Sequence, residues 1–193
     1  MKRSIMQDQW YASANAKQWA LGVLNEGNML IDILKKQLEE LDSPDGFRLS
    51  REEFDKLRIL QSTHETFFVI AINKLTRWLK VIDDTQANRI VNEFEAKFPL
   101  YKNIRHMREH DVEYYFGKGN KQKEFIVEDR SKGFSSDGSS TIVLGNEYLI
   151  GGMLDVGKVI KYVSENIDAI NGLENKFMQK IYESGELLER PDG

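Results

Sequence analysis

Two of the three histidines in this chain, His106 and His110, lie four residues apart among Arg105, Arg108, Glu109, Asp111 and Glu113. Imidazole is the side chain that gives and takes protons near neutral pH. Guanidinium is the fixed cation whose planar fork matches a phosphate. In a helix, positions i and i+4 share a face. The stretch 99–117 therefore holds groups for two kinds of chemistry.

The first is proton transfer beside a bound phosphate. Arg105 would hold the anion, His110 would act as general acid/base, and His106 would assist. The second is metal binding. His106, His110 and Glu113 follow H-x3-H-x2-E, which puts two imidazoles and a carboxylate on one helical face, and His64-Glu65 on another helix can add a ligand. This spacing matches neither H-E-x-x-H nor the Glu-x-x-His pairs of di-iron bundles. His64 alone reads as a satisfied histidine of a helical bundle.

Charge singles out the same segment. Between residues 97 and 123 there are seven lysines and arginines against three acids, on a chain whose formal net charge is -4. A basic island on an acidic body is where a polyanion binds. Lys102, Arg108 and Lys118 are the substrate-contact candidates in it. Placed on a helical wheel, Leu100, Ile104, Met107, Tyr114 and Tyr115 form a core face, with Lys102, His106, Glu109, His110 and Glu113 opposite. Arg108 and Asp111 interrupt the apolar side and are spaced to pair with each other. Arg105 and His110 are about 140° apart, so a site that uses both on one phosphate needs long side chains curling into a groove or a second copy of the chain, and the angle favours the dimeric site. Tyr101 and Tyr114 can stack on bases, but their wheel positions favour the core.

The elements that position these residues are mostly helical. Residues 7–41 carry an apolar stripe (Trp10, Ala14, Leu21, Leu24, Ile31, Leu34, Leu38, Leu41), and 42–46 is a turn by composition. Ser50 with Glu53 forms a capping box. It opens a helix to about Ile82 whose apolar residues, Leu60 and Phe67 among them, exceed one stripe, as expected of the most buried helix. Asp83-Asp84-Thr85 caps a shorter helix over about 86–96, with Ile90, Val91 and Phe94 inward. Pro99 opens the histidine helix, expected to run to Phe116 and to stop at Gly117–Asn120. The period then changes. Residues 124–128, 140–144 and 147–150 read as strands, with a Gly145-Asn146 turn and a flexible connection over 131–139. A last helix starts near Asp155, carries Val156, Val159, Ile160, Val163, Ile167, Ile170, Leu173, Phe177 and Ile181, and ends at Gly185. The expected fold is mainly α: one domain over 1–193, an up-and-down bundle of about five helices with a small antiparallel β insertion (about 124–150) before the last helix.

The absence of cysteine removes disulfides, thiolate zinc sites and a thiol nucleophile. No apolar run follows the basic residues at the N-terminus, and none elsewhere reaches bilayer length. A cytoplasmic protein without a membrane partner is expected. There is no P-loop, dinucleotide fingerprint, nucleophile elbow or kinase signature.

Arg105-His-Met-Arg-Glu-His110 on the penultimate long helix of such a bundle resembles the HEPN superfamily (higher eukaryotes and prokaryotes nucleotide-binding domain). Active members of that family carry R-x4–6-H, commonly with a polar residue after the Arg, here His106. The resemblance covers about 5–118 and 153–188; the β insertion lies outside the minimal pattern. It implies a metal-independent endoribonuclease without a cofactor, with its site assembled across a homodimer. It also implies RNA as substrate and a role as a toxin or defence effector with a protein antitoxin or partner. Other members have lost activity, so the resemblance equally admits a non-catalytic helical dimer that binds a nucleotide or a partner.

Overall fold

A computed structural model describes residues 4–41, 49–110, 113–114, 116, 118, 127–129, 131, 133–136, 141–145 and 147–185. The expected 42–46 turn, Asp111, Tyr115, Gly117, Gly119, Asn120, Lys121, Lys123, the 124–126 part of the first strand and Asn146 lie outside them. Among the described residues five helices alternate with a small β segment: α1 (Ile5–Leu41), α2 (Arg51–Val81), α3 (Thr85–Lys97), α4 (Tyr101–Glu109), β1 (Val127–Asp129), β2 (Phe134–Ser136), β3 (Thr141–Leu144), β4 (Glu147–Ile150), β5 (Leu154–Asp155) and α5 (Val156–Ser184). The chain is mainly helical, with an antiparallel β3-β4-β5 sheet before the last helix.

α2, α3 and α5 begin where their cap residues dictate, whereas α4 starts at Tyr101, two residues after the Pro99 expected to open it, with no side-chain cap. At α2 the Ser50 N–H donates to Glu53 Oε2 (2.9 Å) and the Glu53 N–H to Ser50 Oγ (3.3 Å), closing the box read from the sequence. Asp84 caps α3 by accepting from the Gln86 and Ala87 amides at 2.8 and 3.3 Å, and its carboxylate also receives Lys176 of α5. Asp155 caps α5 through the Lys158 N–H, 3.0 Å. Gly185 ends α5 at φ 72, a left-handed turn that a residue with a Cβ rarely adopts.

The core differs from the expectation in which helix is central. α1 packs against both α2 and α5. Its buried face is Ala12, Ala16, Ala20, Val23, Leu30 and Leu34, while Leu21 and Leu38 of the expected stripe are exposed. Small residues win here because a helix flanked on two sides needs close approach more than apolar bulk. α2 is correspondingly less enclosed: Phe68, Ile72, Leu75 and Leu79 are buried, but Leu60 and Phe67 are 46% and 53% exposed. The two helices run antiparallel, and Gln9 near the start of α1 bridges the end of α2. Its amide donates to the Val81 carbonyl (3.1 Å) and accepts from the Asp83 N–H (2.6 Å).

The β segment is larger than the sequence indicates. β2 occupies part of the stretch expected to be a flexible connection, pairing Val127 with Ser136 and Asp129 with Phe134. A fifth strand, β5, pairs Ile150 with Leu154, so the sheet continues up to the α5 cap. β3 and β4 pair Thr141 with Ile150 and Val143 with Tyr148. Cross-strand partners share a face, so Thr141 and Tyr148 project to the same side of the sheet. No helix among the described residues is long and apolar enough to cross a membrane.

Candidate functional site

α4 is a short helix, and charged contacts hold both its ends. At the start, Tyr101 is buried, and its hydroxyl reaches Thr76 Oγ1 (3.1 Å) and Glu95 Oε1 (2.9 Å). Glu95 also receives Lys80 (2.8 Å) and Lys102 (2.7 Å). Burial alone would raise the Glu95 carboxyl, but hydrogen bonds from Lys102, Lys80 and Tyr101 outweigh it and hold the group at about 2. Burial pushes the Tyr101 hydroxyl up, so it remains a donor. Tyr101 is thus a core anchor and not a stacking platform. Leu100, expected on the core face, is 41% exposed because it stands outside the helix as its N-cap.

The helix ends earlier than expected. Glu109 is its last residue, and His110 is the C-cap at φ -122 and ψ 34. His110 leaves the helical dihedral range, but its N–H still donates to the His106 carbonyl (3.1 Å) and the Tyr114 N–H to the His110 carbonyl (3.2 Å), so Tyr114 keeps the core position expected of it. Ile104 and Met107 keep their core places as well. Tyr114 packs with Met107 and Met153.

The other end of α4 is tied down by Arg108. The pairing with Asp111 suggested by their spacing falls on a residue outside the described set, and the partner observed is Glu65 of α2. Arg108 Nη2 donates to Glu65 Oε2 at 2.6 Å, with the two side chains 17% and 3% exposed. The Glu65 Oε1 oxygen accepts from Thr141 Oγ1 (2.5 Å), Tyr148 OH (2.6 Å) and Gln61 Nε2 (3.2 Å). One buried carboxylate therefore joins α2, α4, β3 and β4. Burial, with the Glu65 charge beside it, drives the Tyr148 hydroxyl well above the usual phenol range, which keeps it protonated and donating. Glu65 was accessible to the sequence reading. It lies on the same face of α2 as Leu57, Phe68 and Ile72, within about 80° of each on a helical wheel. An acid inside an apolar arc needs donors.

The two histidines are brought together. The rings of His106 and His110 lie 4.6 Å apart at 54°, and the His106 ring meets Tyr114 edge-on at 6.1 Å. His110 Nδ1 is 3.5 Å from Glu113 Oε2, and both side chains are about half exposed. Arg105 is not directed at this pair. Its Nε and Nη2 both contact Glu109 Oε1 at 2.8 Å, one turn along the helix. Lys102 is engaged by Glu95, and Lys118 is exposed. Most of the described basic surplus is thus locally paired.

The His106–His110–Glu113 metal site is not assembled. Among the described residues no three His, Asp or Glu side chains are placed to hold one ion. His106 and His110 stay one turn apart and His110 reaches Glu113 at 3.5 Å, but the three side chains do not converge on one point. The fourth ligand is spoken for as well: Glu65 is saturated by its donors, and His64 Nδ1 meets Glu26 Oε2 at 2.7 Å, the paired bundle histidine expected from its position.

Comparison of the chain with protein-family models, with curated proteins and with solved structures finds no match.

Proposed function

We propose that the chain is a metal-independent endoribonuclease of the HEPN type, acting as a homodimer. The observation that carries this reading is the His106–His110 pair, rings 4.6 Å apart, with His110 about half exposed and Arg105 directly before His106 in the chain. Two adjacent imidazoles can divide the proton work. One takes the proton of the ribose 2′-OH as that oxygen bonds to phosphorus. The other gives a proton to the departing 5′-oxygen, leaving a cyclic phosphate and a free hydroxyl. Arg105 would bind the phosphate and its developing charge. Its contact with Glu109 is a partly exposed i,i+4 pair, worth a few tenths of a kcal/mol, which a phosphate can displace. The helical bundle and the R-x4-H spacing support the family reading, and the turn of Arg105 away from the histidines supports a site completed by a second copy.

The Arg105–Glu109 pair also favours a second reading, a non-catalytic helical dimer in which Arg105 is structural and the surface binds a nucleotide or a partner. One assay separates the two. Single-stranded RNA is incubated with the wild type, His110→Ala and Arg105→Ala, each with and without chelator, and the mass of the wild type is measured by sedimentation. Cleavage by a wild-type dimer that survives chelation, and falls at least about 100-fold in each variant, is the expected result. Folded protein that leaves RNA intact would sink the nuclease reading in favour of the binding module.

A further inference from the structure

On the far side of α4 from the histidines, Arg108 forms one wall of a cleft of about 290 Å³ lined by Arg58, Gln61, Ser62, Glu65 and Thr141. The cleft is built from charge. Its floor is Glu65, whose two oxygens already accept from four donors. A carboxylate so saturated has little left to offer a ligand. What remains available is positive. Arg108 uses one terminal nitrogen on Glu65, while its Nε is buried and has no hydrogen-bond partner. An orphaned donor on a buried guanidinium is costly unless something accepts from it. Arg58 stands exposed at the mouth, seven residues before Glu65 and so on the same side of α2, and forms no ion pair among the described residues. Ser62, one turn along from Arg58, adds a hydroxyl.

Two guanidiniums against one neutralised carboxylate leave an uncompensated cation facing a polar hollow. We propose that this cleft binds the phosphate of a small phosphomonoester, held between Arg58 and Arg108 with Ser62 donating. A dianionic phosphate accepts from both forks at once, which a single carboxylate does less well. The volume exceeds that of a bare anion and leaves room for part of the attached organic group. The site is separate from the His106–His110 surface and does not depend on the nuclease reading. It also gives the β segment a role, since Thr141 and Tyr148 position Glu65, and Glu65 positions Arg108.

The test is titration calorimetry of the full chain with inorganic phosphate, a ribonucleoside 5′-monophosphate and the parent nucleoside. Arg58→Gln is the reporting variant, since Arg58 is exposed and supports no packing. Arg51→Gln, an exposed arginine in the first turn of the same helix, is the control. The monophosphate is expected to bind the wild type and Arg51→Gln alike, more tightly than inorganic phosphate, and at least about tenfold more weakly to Arg58→Gln. The nucleoside is expected not to bind. Absence of binding by every phosphate probe, equal binding by Arg58→Gln, or a nucleoside that binds as well as its monophosphate would overturn the assignment.

Discussion

The Glu65 carboxylate gives up its water on folding, and the four donors around it replace that hydration. A charge held in this way is costly to strand. Replacing Arg108 by Ala leaves the carboxylate without its cation, and a loss of about 3–5 kcal/mol is expected in urea unfolding. Glu65→Leu combined with Arg108→Met removes both charges and should lose much less than the two single changes added together. A strictly additive double variant would show that the pair is not coupled. His110 behaves differently at this scale. It is exposed enough that His110→Ala should stay within about 0.5 kcal/mol of the wild type, so a change in RNA cleavage in that variant would report chemistry and not folding.

At the scale of elements, the crossing of α1 with α2 and α5 turns on a glycine. A Cβ at Gly27 would sit 2.6 Å from Ile160 Cγ1 and 2.9 Å from Phe68 Cε2, closer than atoms can pack. Gly22, one turn and a half earlier on the same helix, has Ala71 Cβ at 3.6 Å, an ordinary contact. Alanine in a helix interior normally gains about 1 kcal/mol over glycine. Gly22→Ala is therefore expected to be neutral or to raise the melting temperature. Gly27→Ala is expected to cost about 1–3 kcal/mol through overpacking. Equal effects from the two would mean that the helices do not approach as described. The β3–β4 register is the second element-level constraint. A slip by one residue would put Thr141 and Tyr148 on opposite faces of the sheet, so that only one of them could still reach Glu65, because side chains alternate along a strand.

For the whole molecule, Glu95 links α2, α3 and α4 through Lys80, Lys102 and Tyr101. Its folded pKa of about 2 lies below the ordinary 4.5. The stabilisation is therefore complete above the ordinary value and is lost as pH falls from there through about 2. Unfolding free energies measured down this acid range should drop by about 2 kcal/mol more in the wild type than in Glu95→Gln, after discounting for the partial exposure of the group. Parallel curves for the two proteins would remove Glu95 from the acid response.

Local chemistry was enough to read some of this protein from its residues. The capping box at Ser50 and Glu53, the Asp84 cap, the glycine end at Gly185, the bundle of five helices and the β segment before the last of them all follow from neighbours within a few positions, whose hydrogen bonds and periodicity do not depend on distant partners. The early end of α4 did not follow, because no glycine or proline marks His110. The centrality of α1 did not follow either, because alanines at 12, 16 and 20 carry little apolar weight in a sequence and acquire meaning only when two helices close on them. The partner of Arg108 illustrates the division. The sequence by itself determined that a charge inside an apolar arc must be paired, since desolvation forbids leaving it alone. Only the tertiary structure decided that the pair is Glu65, 43 residues away on another helix, because a buried ion takes whichever counter-charge the packing of the elements brings within reach.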